Sequence, residues 1–344
     1  MKKADLKYSE LPFGYIKTDW NYRRVCKDGE WGAGELSDSE HMQMPVAAAC
    51  LHYGQLIFEG LKAYERPDGR VQTFRLEENA KRMIRSAEKL LMEPVPIDMF
   101  KEAVWKTVNA NRRFVPPYGK GASLYIRPFL MGTGIQLGVN PSTEYTFVVF
   151  VSPVGPYYKG GGLSTVNLMV EENIDRAAPY GTGDIKCAGN YAAGLRATIP
   201  AKKKGFNEVL YLDAKEKKYI DESGSSNFFG ITKDKRYITP KSPSILPSVT
   251  NMSIKQIAKD EGFTVEERPI HVDELKTFVE AGAVGTAAVI SPIGSITYRG
   301  EVIKYGDGKT AGDMCVGLYK KLSGIQNGDI PDPYGWTEII PEDF

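Results

Sequence analysis

The stretch Gly181-Thr-Gly-Asp-Ile-Lys-Cys-Ala-Gly-Asn-Tyr-Ala-Ala-Gly194 decides how the chain is read. Lys186 stands among Gly, Ala, Cys and Thr, small residues that let a backbone approach something bulky. An ordinary lysine is a solvated surface charge, and a loop lysine beside a tightly packed helix start is the plain reading of this one. In a small-residue cradle a lysine also loses solvation, which suits an amine that condenses with a carbonyl. Gly181-Thr-Gly183 does not extend to the dinucleotide fingerprint, because position 186 is Lys rather than Gly.

Working outward, the chain has 344 residues, 42% of them hydrophobic, enough for a core without disulfide or metal staples and for about two domains. Its 44 Lys+Arg against 43 Asp+Glu leave a net charge of +1, so bulk electrostatics give no reason to expect a nucleic acid or an anionic membrane as partner. No metal site is expected from three dispersed histidines, His41, His52 and His271. Cys26, Cys50, Cys187 and Cys315 form no C-x-x-C, and the start Met1-Lys-Lys3 lacks an apolar leader. Both features point to a cytoplasmic protein with reduced thiols. Gly306-Asp-Gly-Lys-Thr310 fails as a phosphate loop because position 303 is Ile, and neither H-E-x-x-H nor G-x-S-x-G occurs.

The texture is mixed α/β. Val71–Leu76 reads as a strand, and Ala80, Met83, Ile84, Ala87, Leu90 and Leu91 carry helical spacing over Glu77–Met92. A helix over 99–112, capped by Asp98, and strands over 122–131 and 145–151 follow. Residues 152–162, with two prolines and four glycines, read as a linker between a smaller N-terminal domain (1–151) and a larger C-terminal one (163–344). Beyond it, Asn190 is expected to cap a helix reaching about Lys204, and 208–220 to form a hairpin. Helices are expected over 250–260, 273–281 and 311–322.

Five motifs then occur in order. They are His52-Tyr-Gly-Gln-Leu-Ile-Phe-Glu-Gly-Leu-Lys-Ala-Tyr64, Tyr125-Ile-Arg-Pro128, Lys186-x-x-Gly-Asn-Tyr191, Asp221-Glu-Ser-Gly-Ser-Ser-Asn227 and Gly285-Thr-Ala-Ala288. Together they resemble the branched-chain amino-acid aminotransferases, fold-type IV enzymes dependent on pyridoxal 5′-phosphate, over nearly the whole chain. The resemblance implies a two-domain α/β architecture with the cofactor in the interdomain cleft. It also implies reversible transfer of the α-amino group of leucine, isoleucine or valine to 2-oxoglutarate.

The roles the resemblance implies are specific. Lys186 is the Schiff-base lysine and proton carrier, Glu222 pairs with the pyridine nitrogen, and Tyr191 binds the phenolic oxygen. Arg82 takes the phosphate through its planar fork, with Arg85 as competitor. Val249, Thr250 and Thr286 complete the phosphate site, two of them at a helix start where backbone amides favour anions. Tyr53, Phe58 and Tyr157 form an aromatic substrate pocket, with Ser225 of the Asp221–Asn227 motif also in the substrate site. Arg127 receives the distal carboxylate of glutamate, while Tyr125 and the amides of Ala287 and Ala288 hold the α-carboxylate. Leu137 and Val139 match a loop that reaches the partner's pocket, which implies a homodimer. Ala288 and Ser291 replace a C-x-x-C of some animal members, so no thiol switch is expected there; Cys187 is a weaker candidate. Other fold-type IV chemistries, a D-amino-acid transaminase or an aminodeoxychorismate lyase, are the enzymatic alternatives, and a catalytically silent scaffold is the third.

Overall fold

The computed structural model describes residues 2–155 and 163–344; Tyr157, and with it positions 156–162 of the expected linker, lies outside the described residues. The chain divides into two compact units. One takes 2–155, Ile185–Gly189 and Gly324–Phe344; the other takes 163–184 and Asn190–Ser323.

The first unit contains strands β1 (Asn21–Lys27), β2 (Glu30–Ser37), β3 (Leu56–Phe58), β4 (Leu61–Glu65), β5 (Val71–Phe74), β6 (Ser123–Gly132) and β7 (Glu144–Val154). Its helices are α1 (Ala49–His52), α2 (Leu76–Lys89) and α3 (Ile97–Ala110). With the short strand Thr337–Ile339 at the edge beside β5, the strands form an antiparallel sheet in the order β5-β4-β6-β7-β1-β2, and β3 pairs with β6. Alternation along β6 explains its two faces. Leu124, Ile126 and Leu130 join the core with Ala80, Met83 and Ala87 of α2 and Phe100 and Val104 of α3. Tyr125 and Arg127 project from the opposite side, as the period of two requires. Glu77 and Glu78 in the first turn of α2 and Lys89 in its last complement the helix dipole.

The second unit contains β8 (Val166–Glu171), β9 (Glu208–Leu212), β10 (Ile220–Ser223), β11 (Ser226–Ile231), β12 (Arg236–Pro240), β13 (Thr264–Arg268), β14 (Glu280–Gly285), β15 (Val289–Tyr298) and β16 (Glu301–Lys304). Its helices are α4 (Ala188–Lys203), α5 (Val249–Asp260) and α6 (Asp313–Asn327). The strand order is β10-β9-β8-β15-β14-β11-β12-β13, and β10 also pairs with β11. That extra pairing closes β10, β9, β8, β15, β14 and β11 into a ring, which leaves β10 without a free edge. Apolar side chains such as Leu168, Leu210, Phe228, Ile293 and Ile296 pack with Ile270 and Leu275.

Several sequence expectations are corrected. Residues 152–154 continue β7 rather than opening a linker, and α3 begins at Ile97 behind Pro96, so Asp98 lies inside the helix and does not cap it. Residues 273–281 are not one helix: a 3-10 turn covers Val272–Thr277 and the chain then enters β14. A capping box between His271 and Glu274 tightens the turn, and pairing with both β11 and β15 claims Glu280–Gly285 for the sheet. Asn190 does not cap α4, which begins at Ala188. Its amide instead donates to the Thr182 carbonyl (2.6 Å) and accepts from the Thr182 hydroxyl (2.7 Å).

Candidate active site

In the first unit, Lys186 is pinned by its own backbone. Its N–H donates to Ser86 Oγ (3.2 Å), and its carbonyl accepts from the Phe58 N–H (3.1 Å). The half-buried side chain lies over Phe58, with Nζ 4.6 Å from the ring centroid. Burial, reinforced by the Arg82 charge, draws its amine down to about 8, although Glu59 opposes the shift. The neutral amine is thus within reach near physiological pH.

Arg82, on the buried stripe of α2, uses its fork on a protein carboxylate. Its Nε donates to Glu59 Oε1 (2.7 Å) and its Nη2 to Oε2 (2.8 Å). Glu59 is fully buried and also accepts from Asn79 Nδ2 (2.8 Å). Burial pushes the Glu59 carboxyl up, but the charge and hydrogen bonds of Arg82, the charge of Lys186 and the Asn79 bond prevail and leave it below the usual range. Glu59 sits in the quoted His52–Tyr64 motif, yet sequence reasoning gave it no role. The signal was available: a carboxylate in the short connection between the apolar Ile57-Phe58 and Leu61 demands a cationic partner once buried.

The same unit groups part of the expected substrate set. Arg127 lies over Phe58 (4.8 Å) and Tyr125 (5.2 Å), and its Nη2 donates to the Tyr125 hydroxyl at 3.0 Å. The Arg127 Nε is buried with no hydrogen-bond partner among the described residues. Tyr53 is exposed and donates through its hydroxyl to the Leu137 carbonyl; Leu137 and Val139 are 85% and 81% exposed, an apolar loop tip turned to solvent. Cys187 is buried beside an isolated bridge to Ile57.

In the second unit, Glu222 is carried on β10 where the ring closes. The two-residue turn Gly224-Ser225 joins β10 to β11, with Gly224 at φ +54°, and sets Glu222 opposite Asn227. The buried Glu222 accepts from the Leu246 N–H (2.5 Å) and Asn227 Nδ2 (3.2 Å) on Oε1, while Arg176 Nη1 stands 3.5 Å from Oε2. Arg176 is itself buried and donates to the carbonyls of Gly183 (2.9 Å) and Ser244; its Nε has no partner among the described residues. No sequence signal marked Arg176. A recess of about 240 Å³ is lined by Arg176, Asn190, Tyr191, Glu222, Gly224 and Ser225 among others.

Val249 and Thr250 open α5, buried, where Ser248 caps the helix by accepting from the Asn251 N–H at 3.1 Å. Thr286, Ala287 and Ala288 form the half-buried turn between β14 and β15. Asp221, the neighbour of Glu222, is buried with its carboxyl raised by that burial, and Ser244 Oγ donates to it at 2.6 Å. Among the described residues no cluster of His, Cys, Asp and Glu could hold a metal ion, and no helix is long and apolar enough to cross a membrane.

Comparison with known proteins agrees with this chemistry. The model of the amino-transferase class IV family matches residues 56–296. The branched-chain-amino-acid aminotransferase of Haemophilus influenzae is 46% identical, covering 96% of this chain and 98% of its own. The branched-chain amino acid aminotransferase of Escherichia coli superposes with a TM-score of 0.79 at 28% identity, covering 94% of this chain and all of that one. A T.th. branched-chain amino acid aminotransferase complexed with N-(5′-phosphopyridoxyl)-L-glutamate gives 0.76 at 27% identity, covering 95% and 100%. The chain belongs to the class IV aminotransferases, in the branched-chain-amino-acid aminotransferase family.

Proposed function

We propose that the chain catalyses reversible transfer of the α-amino group of L-leucine, L-isoleucine or L-valine to 2-oxoglutarate, giving the branched-chain 2-oxo acid and L-glutamate. The observation that carries the reading is the Lys186 amine, half-buried over Phe58 and lowered to about 8. Bound pyridoxal 5′-phosphate supplies an aldehyde and an electron sink that no side chain offers. The donor set fits it: a desolvated amine in one unit, and in the other a polar recess with a buried carboxylate and a tyrosine on its wall.

In this reading Lys186 would anchor the cofactor and, once displaced, its neutral amine would carry the proton between the substrate α-carbon and the cofactor's aldehyde carbon. Glu222, held by Leu246, Asn227 and Arg176, keeps a carboxylate available for the pyridine nitrogen. Tyr191 serves the phenolic oxygen. Arg82, oriented by Glu59, serves the phosphate with Val249, Thr250 and Thr286. Phe58 and Tyr53 serve the apolar side chain, and Ser225 adds a polar group. Arg127 receives a distal carboxylate, and Tyr125, Ala287 and Ala288 the α-carboxylate. The exposed Leu137 and Val139 offer an apolar loop tip to a second copy, which supports a homodimer as the working form.

Purified protein is expected to be yellow and to lose its visible band on adding L-leucine. A colourless protein indifferent to added cofactor overturns the reading. Bleaching by D-alanine but not by L-leucine selects the D-specific alternative.

A further inference from the structure

We propose that Lys62 is a second recognition cation of the substrate pocket, receiving the distal carboxylate of the C5 dicarboxylic substrate alongside Arg127. The inference rests on the aminotransferase reading above and names a residue that reading leaves without a role.

The placement follows from the register of the sheet. Lys62 on β4 lies directly opposite Tyr125 on β6. Opposed residues project to the same face, and Arg127, two positions along β6, shares it. Their neighbours confirm the face: Leu61 and Ala63 on β4, and Leu124 and Ile126 on β6, all point into the core. Gly60 opens the approach between the strands, since a β-carbon there would fall 2.2 Å from the Tyr125 hydroxyl oxygen. Arg127 donates to that same hydroxyl at 3.0 Å. The tyrosine of the substrate pocket therefore has a cation on its own strand and another on the strand opposite.

Chemistry favours this use of the pair. Lys62 is half-buried, and burial draws its ammonium down to about 8; a carboxylate brought beside it would favour its charged form. A branched-chain substrate brings one carboxylate, whereas glutamate and 2-oxoglutarate bring two. The second must be desolvated in a pocket that also accepts an aliphatic side chain. A lysine meets both demands: its flexible methylene stem offers apolar surface to leucine, and its ammonium offers a charge to the dicarboxylate. The rigid fork of an arginine would not withdraw in this way.

The test compares wild type with Lys62→Met, which keeps the stem and removes the charge, and Lys62→Arg, which restores charge. Half-reactions with L-leucine and L-glutamate are followed separately by the cofactor absorbance, and binding of glutarate, a non-reacting dicarboxylate, by calorimetry. Loss of one charge-assisted contact predicts that Lys62→Met raises the glutamate KM and the glutarate Kd about 10-fold to 100-fold. The leucine half-reaction stays within about twofold, as expected where only apolar stem contact is retained. Lys62→Arg recovers much of the glutarate affinity with unchanged thermal stability. Equal losses for both substrates, or no change in glutarate binding, overturns the assignment. Wild-type bleaching by leucine judges the proposed function, while the glutarate ratio between variant and wild type judges Lys62.

Discussion

Arg82 and Glu59 form a two-pronged ion pair inside the protein, Nε to Oε1 at 2.7 Å and Nη2 to Oε2 at 2.8 Å, with Glu59 fully buried. The pair fixes the Arg82 guanidinium, so the arginine proposed for the phosphate has a carboxylate holding it in place. The same carboxylate moderates the charge that Lys186 feels from Arg82. Removing one partner strands the other in a low dielectric. Glu59→Gln should lower stability by about 3–5 kcal/mol, the usual penalty for breaking a buried pair, and weaken cofactor affinity. Chemical denaturation of the apoprotein and a cofactor titration check this; a stability unchanged from wild type refutes the buried-pair energetics.

Lys186→Ala should abolish turnover and remove the covalent visible band while leaving noncovalent cofactor binding measurable. Absorbance spectra of the reconstituted variant, with and without borohydride, distinguish the two modes of binding. Retained turnover takes Lys186 out of its role.

The pH dependence follows from the lowered Lys186 amine. Its unfolded value lies near ~10.4 and its folded value at about 8, so between these limits the unfolded chain binds more protons and stability rises with pH. The penalty of burying the ammonium is fully present below about 8 and is relieved as pH climbs above it. Apoprotein should therefore gain stability from pH 8 to ~10 relative to Lys186→Met, a comparison that cancels the similar contribution of Lys62. Capture of pyridoxal phosphate should accelerate toward the same pH and level off above about 8. A flat capture rate from pH 6 to ~9 contradicts the assignment.

Glu222 and Arg176 form the corresponding pair in the second unit, at 3.5 Å. Glu222→Gln should lower the rate greatly with modest structural change, because Arg176 keeps its bonds to the Gly183 and Ser244 carbonyls. Arg176→Gln should destabilise more, because it leaves the buried Glu222 charge short of its cation. The double variant should be less destabilised than the sum of the singles, and simple additivity in a denaturation cycle denies the coupling.

Some of this was legible in the chain. The helix over 76–89 announces itself through Ala80, Met83 and Ala87 at one face, and β6 through alternation of Leu124 and Ile126 with Tyr125 and Arg127. The hairpin expected over 208–220 appears as β9 paired with β10, whereas the turn at Gly224 that sets Glu222 opposite Asn227 went unread. The segment 273–281 misled because its local pattern suits a helix, whereas β11 and β15 supply hydrogen bonds on both sides of Glu280–Gly285. Asn190 looked like a cap, yet Thr182 satisfies its amide.

By itself the sequence determined the family, the periodic elements and the presence of Lys186, Glu222 and Arg82, because motif residues and hydrophobic periods are local properties of a chain. Only the tertiary structure decided that Glu59 grips Arg82, that Arg176 stands behind Glu222, and that Lys62 faces Tyr125 across a sheet. Each of these joins positions far apart in sequence through pairing register or burial, and the energy of a charge depends on what surrounds it.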